Sequence, residues 1–188
     1  MQPFYHINLH SDPPRLDDIN RQVPSQRFRD TATLVNEYFP IIDIRKELDS
    51  IGITSSELRL WRWQFVPEEP EYIHSDGNRQ AAINWSLTPD TRLEFFPTEG
   101  GKTFVERRLA KKQGDLDFIA TYWFWIKQPE PIAVWNTGGP VIINPLQPHR
   151  AKSNYKNQDT RVSLTLKLEH TYQEVYEILD SAGRIKHS

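Results

Sequence analysis

Cysteine is absent from this sequence. Its absence excludes a disulfide scaffold, cysteine-ligated zinc or iron–sulfur centres, and a cysteine nucleophile. It leaves the redox compartment open, because a core of this size needs no disulfide. An excess of either charge is also lacking: 23 Lys and Arg stand against 25 Asp and Glu, for a net charge of −2. A general nucleic-acid binder would carry a basic excess, so nucleic acid is not the expected partner. No stretch approaches the run of about 20 apolar residues that a membrane span needs. The N-terminal MQPFYHINLHSD has no signal-peptide layout. A soluble, cytoplasmic protein is expected. There is neither an internal repeat nor a low-complexity tract.

What is present reads as one globular domain. A chain of 188 residues buries about 70% of its extended surface, and an aromatic share of 12% argues against disorder. The 14 prolines fall mostly between elements. Residues 1–14 read as an extended lead-in. Residues 31–39 and 43–51 read as two short helices, with Thr31 and Asp43 as N-caps and Pro40 between them. In the second, Ile44, Leu48 and Ile51 share a face at helical spacing.

From Leu58 the hydrophobic period changes to two. LRLWRWQFV, AAINWSL, RLEFFP, KTFVERRL, FIATYWFWI, IAVWN and VIIN read as strands. TRVSLTLKLEH alternates cleanly, with Val162, Leu164, Leu166 and Leu168 on one face and Ser163, Thr165 and Lys167 on the other. TYQEVYEIL reads as a closing helix or a last strand. The polar stretch 106–117, with Arg107, Arg108, Lys111 and Lys112, reads as an exposed hairpin tip or loop. Many short strands with turns between them predict a β-sandwich or barrel, with helices on its outside.

Two of the six histidines have neighbours that suggest chemistry. His74 and Asp76 are separated by one residue at a strand end, so their side chains point to one side. An imidazole and a carboxylate can converge there on one metal ion. His149 follows the strand VIIN and a proline, and is placed to bring a second imidazole. Three protein ligands on one face leave three sites of an octahedral ion open, whereas a structural zinc site is usually closed by four. Two imidazoles and a carboxylate suit Fe(II), Mn(II), Co(II) or Ni(II). Arg161 comes twelve residues after His149, and Ser163 shares its strand face. A guanidinium is the preferred fork for a carboxylate, and a nearby hydroxyl can donate to the same anion. His10-Ser11-Asp12 repeats the tripeptide of 74–76 with no strand around it and reads as coincidence.

In this order (His74-x-Asp76, then His149 about 75 residues later, then Arg161-x-Ser163), the residues resemble the Fe(II)/2-oxoglutarate-dependent oxygenases. The resemblance covers about residues 58–170, and GGPVIINPLQPHRAKSN is similar to that family's approach to its distal histidine. The arginine stands slightly farther from that histidine than is commonest, with KNQD as an added turn. A helical N-terminus before a β-core is similar to the prolyl-hydroxylase-like and phage-type members.

The resemblance implies a double-stranded β-helix (jelly roll, cupin-like). Residues 1–57 would be a helical support, 58–170 the β-core and 171–188 a C-terminal tail of one domain. It implies Fe(II) on His74, Asp76 and His149, with 2-oxoglutarate and O2 as co-substrates. Arg161, helped by Ser163, would bind the distal carboxylate of 2-oxoglutarate, with Asn84 within reach of the co-substrate. The implied reaction is a hydroxylation of a small-molecule or peptide substrate, coupled to decarboxylation of 2-oxoglutarate. Trp123 or Trp125, with Ile73, Ile83, Val141 and Ile143, would wall the site, and Arg79 could meet an acidic substrate. Two other readings stay open. One is a non-catalytic β-sandwich binding module, for example for glycans. The other is a cupin-like metal enzyme that uses no 2-oxoglutarate.

Overall fold

The structure is a computed structural model. It describes residues 1–22, 30–35, 39–64, 72–77, 79–89, 91–110, 116–136, 138–153 and 160–186. Lys111, Lys112 and the KNQD segment lie outside the described residues.

In chain order the elements are β1 (Phe4–His6), α1 (Leu16–Gln22), β2 (Asp30–Leu34), α2 (Phe39–Ser50), β3 (Ser55–Gln64), β4 (His74–Asp76), β5 (Ala81–Ser86), β6 (Thr91–Phe95), β7 (Lys102–Ala110), β8 (Leu116–Phe124), β9 (Ala133–Asn136), β10 (Val141–Ile143), β11 (His149–Ser153), β12 (Thr160–Leu168) and α3 (Tyr172–Ser181). The strands form two six-stranded sheets, ordered β1-β10-β5-β12-β3-β2 and β7-β8-β4-β11-β6-β9. Every pairing is antiparallel. The protein is mainly β, a sandwich with few helices. Among the described residues no helix is long and apolar enough to cross a membrane.

The first sheet has two buried faces of opposite character. Leu164, Leu166 and Leu168 of β12, Leu58 and Leu60 of β3, and Ile83 of β5 join Ile44, Leu48, Val175 and Leu179 of the helices in the larger core. The other face meets the second sheet. There Ala82, Val141 and Ile143 pack with Leu93, Phe95 and Trp135. Because residues alternate along a strand and register partners share a face, this inner face also carries Asn84 and Thr165, which are paired. It carries Arg59 and Trp61 as well, opposite Thr165 and Ser163. Helices on the outside thus supply apolar burial, at about 25 cal/mol per Å², while the space between the sheets keeps polar groups.

Several local elements follow from sequence chemistry. Thr171 and Glu174 close a reciprocal capping box at the start of α3, which resolves the last segment as a helix. Helix α2 begins at Phe39, a turn before Asp43, and Pro40 falls in its first turn, where a missing N–H costs nothing. Instead of a helix over 31–39, the structure has the edge strand β2, paired from Asp30↔Trp63 to Leu34↔Arg59. The β-branched Thr31 and Thr33 suit a strand, and the open edge of β3 supplies the hydrogen bonds. The segment 1–57 is therefore not simply a helical support, since β1, β2 and the start of β3 lie in it. The stretch 106–117 is a hairpin whose strands run on to Ala110 and resume at Leu116.

Candidate metal centre

Register brings the first two imidazoles together. His149 begins β11 directly opposite His74 of β4, and their ring centroids lie 4.7 Å apart. Asp76 follows His74 on the same face, with His74 Nε2 and Asp76 Oδ1 3.9 Å apart. One donor atom from each of His74, Asp76 and His149 lies within 4.8 Å of the others. Asp76 and His149 are buried, and His74 is half-buried.

Both imidazoles are oriented by backbone carbonyls. His149 Nδ1 lies 2.8 Å from the carbonyl oxygen of Gln147, and His74 Nδ1 lies 3.4 Å from that of Tyr72. A carbonyl only accepts, so in each ring Nδ1 carries the proton and Nε2 keeps its lone pair for a ligand. The loop before His149 is tied down at both ends. The Asp76 amide donates to the Pro145 carbonyl, and the Phe96 amide donates to that of Pro148, each at 2.8 Å. Gln147 Nε2 donates to the carbonyl of Phe96. Burial first, then the neighbouring His74, holds His149 down to about 4, so it is neutral at pH 7.

The carboxylate is split between two partners. Arg79 Nη1 donates to Asp76 Oδ2 at 3.2 Å, which leaves Oδ1 on the side of His74. Two imidazoles and one half-engaged carboxylate form a donor set that suits a divalent transition ion, and they fit it.

Arg161 and Ser163 share the inner face of β12, as their spacing predicts, and Ser163 is buried. Burial pulls the Arg161 guanidinium down from 12.5 to about 10, and its charge in turn depresses His149. Arg161 Nε is buried with no hydrogen-bond partner. The same holds for Asn84 Oδ1, on the neighbouring strand. The orphaned Arg161 donor is what a bound anion would satisfy, whereas the Asn84 oxygen calls for a donor such as water.

Other expected wall residues stand elsewhere. Trp123 Nε1 donates to Ser75 Oγ at 3.0 Å. Ser75 points away from His74 and Asp76, so Trp123 and its stacking partner Trp125 cover the outer face of the second sheet. Tyr122, opposite His74 in register, takes the inner position. Its ring lies 6.3 Å from that of His74 and stacks on Phe104. Ile83 belongs to the helix-facing core, whereas Val141 and Ile143 do face the second sheet. His10 lies far from the metal group in the fold, where the His10 and Ser11 amides bind the Glu47 carboxylate. Sequence reasoning missed Arg59 and Tyr122, and marked Trp61 only as one of six tryptophans of which one or two could line a cleft. Only the alternation along their strands could have signalled them.

No protein-family model matches the chain, and no curated protein matches it. Among solved structures it is similar to the X-ray structure of E. coli ycfD, with a TM-score of 0.41 and 8% identity. The match covers 93% of this chain and 43% of that one, so the chain spans less than half the length of that structure.

Proposed function

We propose that the protein is an Fe(II)- and 2-oxoglutarate-dependent oxygenase, acting as a hydroxylase, on a double-stranded β-helix. One observation carries the reading. His74, Asp76 and His149 converge on the inner face of one sheet, and a partly buried arginine, with its Nε buried and unpartnered, stands on the inner face of the other. The strand order supports the jelly-roll form. From β3 to β6 successive strands alternate between the sheets, and β9 to β12 alternate again, so the chain winds around one interior.

His74 and His149 would hold the ion through Nε2, and Asp76 through Oδ1. Arg161 would take the distal carboxylate of the oxo acid in a fork, with the Ser163 hydroxyl donating beside it. Asn84 would turn its amide N–H groups toward the co-substrate, and an ordered water would donate to its carbonyl oxygen. When bound, the metal and 2-oxoglutarate would supply the oxidation: one atom of O2 ends in succinate as CO2 is lost, and the other becomes the hydroxyl oxygen on the substrate carbon. The chain's own task is placement and exclusion of water. Phe95, whose ring lies 6.0 Å from that of His149, begins the apolar plug that closes one side.

The test is an anaerobic titration with Fe(II) and then 2-oxoglutarate, followed by the visible charge-transfer band of the chelate. The band should form in the wild type, fail in His74→Ala, and need far more 2-oxoglutarate in Arg161→Ala. Metal binding without a band would instead favour a cupin-like enzyme. No metal binding would refute the assignment.

A further inference from the structure

Beyond Arg161, two more arginines reach the space beside the metal ligands, and both are almost wholly buried: Arg59 and Arg79 are each 4% exposed. Arg79 uses Nη1 on Asp76 and lies over the Trp61 ring, 5.4 Å from its centroid. Its Nε and Nη2 are buried with no partner. Arg59 turns Nε to Glu57 Oε2 at 3.0 Å, and its Nη1 is buried with no partner. Burial first, and the neighbouring Arg59 charge after it, depress Arg79. Burying donors of this kind unsatisfied is costly, and a protein keeps them where a ligand completes them.

The charge count points the same way. Among the described residues, three guanidinium groups, on Arg59, Arg79 and Arg161, reach this space, against the carboxylate of Asp76 and the partly exposed one of Glu57. A divalent ion raises that excess, and a dianionic co-substrate cancels only the ion's own charge. One positive charge is left over. Arg161 and Arg59 start from well-separated positions of the inner face. In register Arg161 faces Trp63 while Arg59 faces Thr165, a distance of about 13 Å along the strands.

We infer that Arg59 and Arg79, with Trp61 beside them, form a second oxyanion site, which takes a carboxylate or phosphate group of the molecule to be oxidised. The inference rests on the function proposed above for the identity of that molecule, but not for the existence of the site. A leftover charge of one matches a carboxylate, and a guanidinium fork fits its planar oxygens.

The test uses metal-free protein carrying Arg161→Met, so that the co-substrate fork is silent. The thermal midpoint is followed against acetate and, separately, inorganic phosphate, with sodium chloride at matched ionic strength. A saturable rise is expected, with the half-saturating concentration at least tenfold higher once Arg59→Met is added. Arg59→Gln, which keeps a polar stem, should behave as Arg59→Met does. A stronger response to phosphate than to acetate would support the site and assign it to a phosphate group. Equal responses with and without Arg59, or a rise that chloride reproduces, would overturn it. If that happens while the Fe(II)/2-oxoglutarate band forms, only this inference fails. If the band is missing but the Arg59-dependent response is present, the oxygenase reading fails and the anion site stands.

Discussion

Replacing Arg161 with methionine is expected to make the metal-free protein more stable, although the residue lies in the candidate site. Burial lowers the Arg161 guanidinium from 12.5 to about 10. At ~1.4 kcal/mol for each tenfold, holding that charge costs about 3 kcal/mol. The residue keeps some contact with solvent, which screens part of the cost and leaves about 1–2 kcal/mol to be recovered. Methionine retains most of the aliphatic stem, so little packing is lost. For a domain of this size that gain is a rise of about 2–8 °C in Tm. The assay is thermal unfolding of both proteins, first metal-free and then with Zn(II) and increasing 2-oxoglutarate. At a hundredfold excess over Kd the wild type should gain about 2.7 kcal/mol from the oxo acid, and the variant much less. A variant less stable than the wild type by 1 kcal/mol or more would show that Arg161 already has a compensating anion. An equal response of both proteins to 2-oxoglutarate would remove Arg161 from the binding site.

Other outcomes follow from the same geometry. The folded value of His149 is held at about 4, below its ordinary 6.5. Its contribution is therefore complete above pH 6.5 and is lost as the pH falls through about 4, about 3 kcal/mol in all. Urea unfolding of metal-free protein at pH 7 and pH 4 should show the loss, and His149→Asn should flatten it. Arg79→Met should weaken metal binding about 10–100-fold by freeing Asp76 to turn, and Arg79→Lys should recover part of it; isothermal titration with Mn(II) reads both. Leu166→Ala, on the helix-facing side, should cost about 2–5 kcal/mol in chemical unfolding and leave Mn(II) affinity unchanged.

The pairs within the candidate site were legible in the sequence because their determinants are short-range. Two residues apart on a strand means one face, and this placed His74 with Asp76 and Arg161 with Ser163. Pairing partners carry no such local mark, and there the reading failed. The strand β2 forms because β3 offers an edge, which nothing within 31–39 announces. Alternation shows which residues share a face but not which face turns inward, so Trp123 was expected where Tyr122 stands. In β3 both faces are buried, with Leu58 and Leu60 on one and Arg59 on the other. Polarity therefore does not sort them, and nothing in the strand pattern singles out Arg59.

The two-faced strand β12 has a consequence for variation. Its even-numbered leucines answer to a fixed volume in the helix-facing core and tolerate only swaps that conserve it. Arg161, Ser163 and Thr165 answer to whatever occupies the interior, and they contribute little to the helix-facing core. Neighbouring positions of one strand are thus free to change at different rates. A new ligand specificity can arise by altering alternate residues while the fold keeps its support on the opposite side.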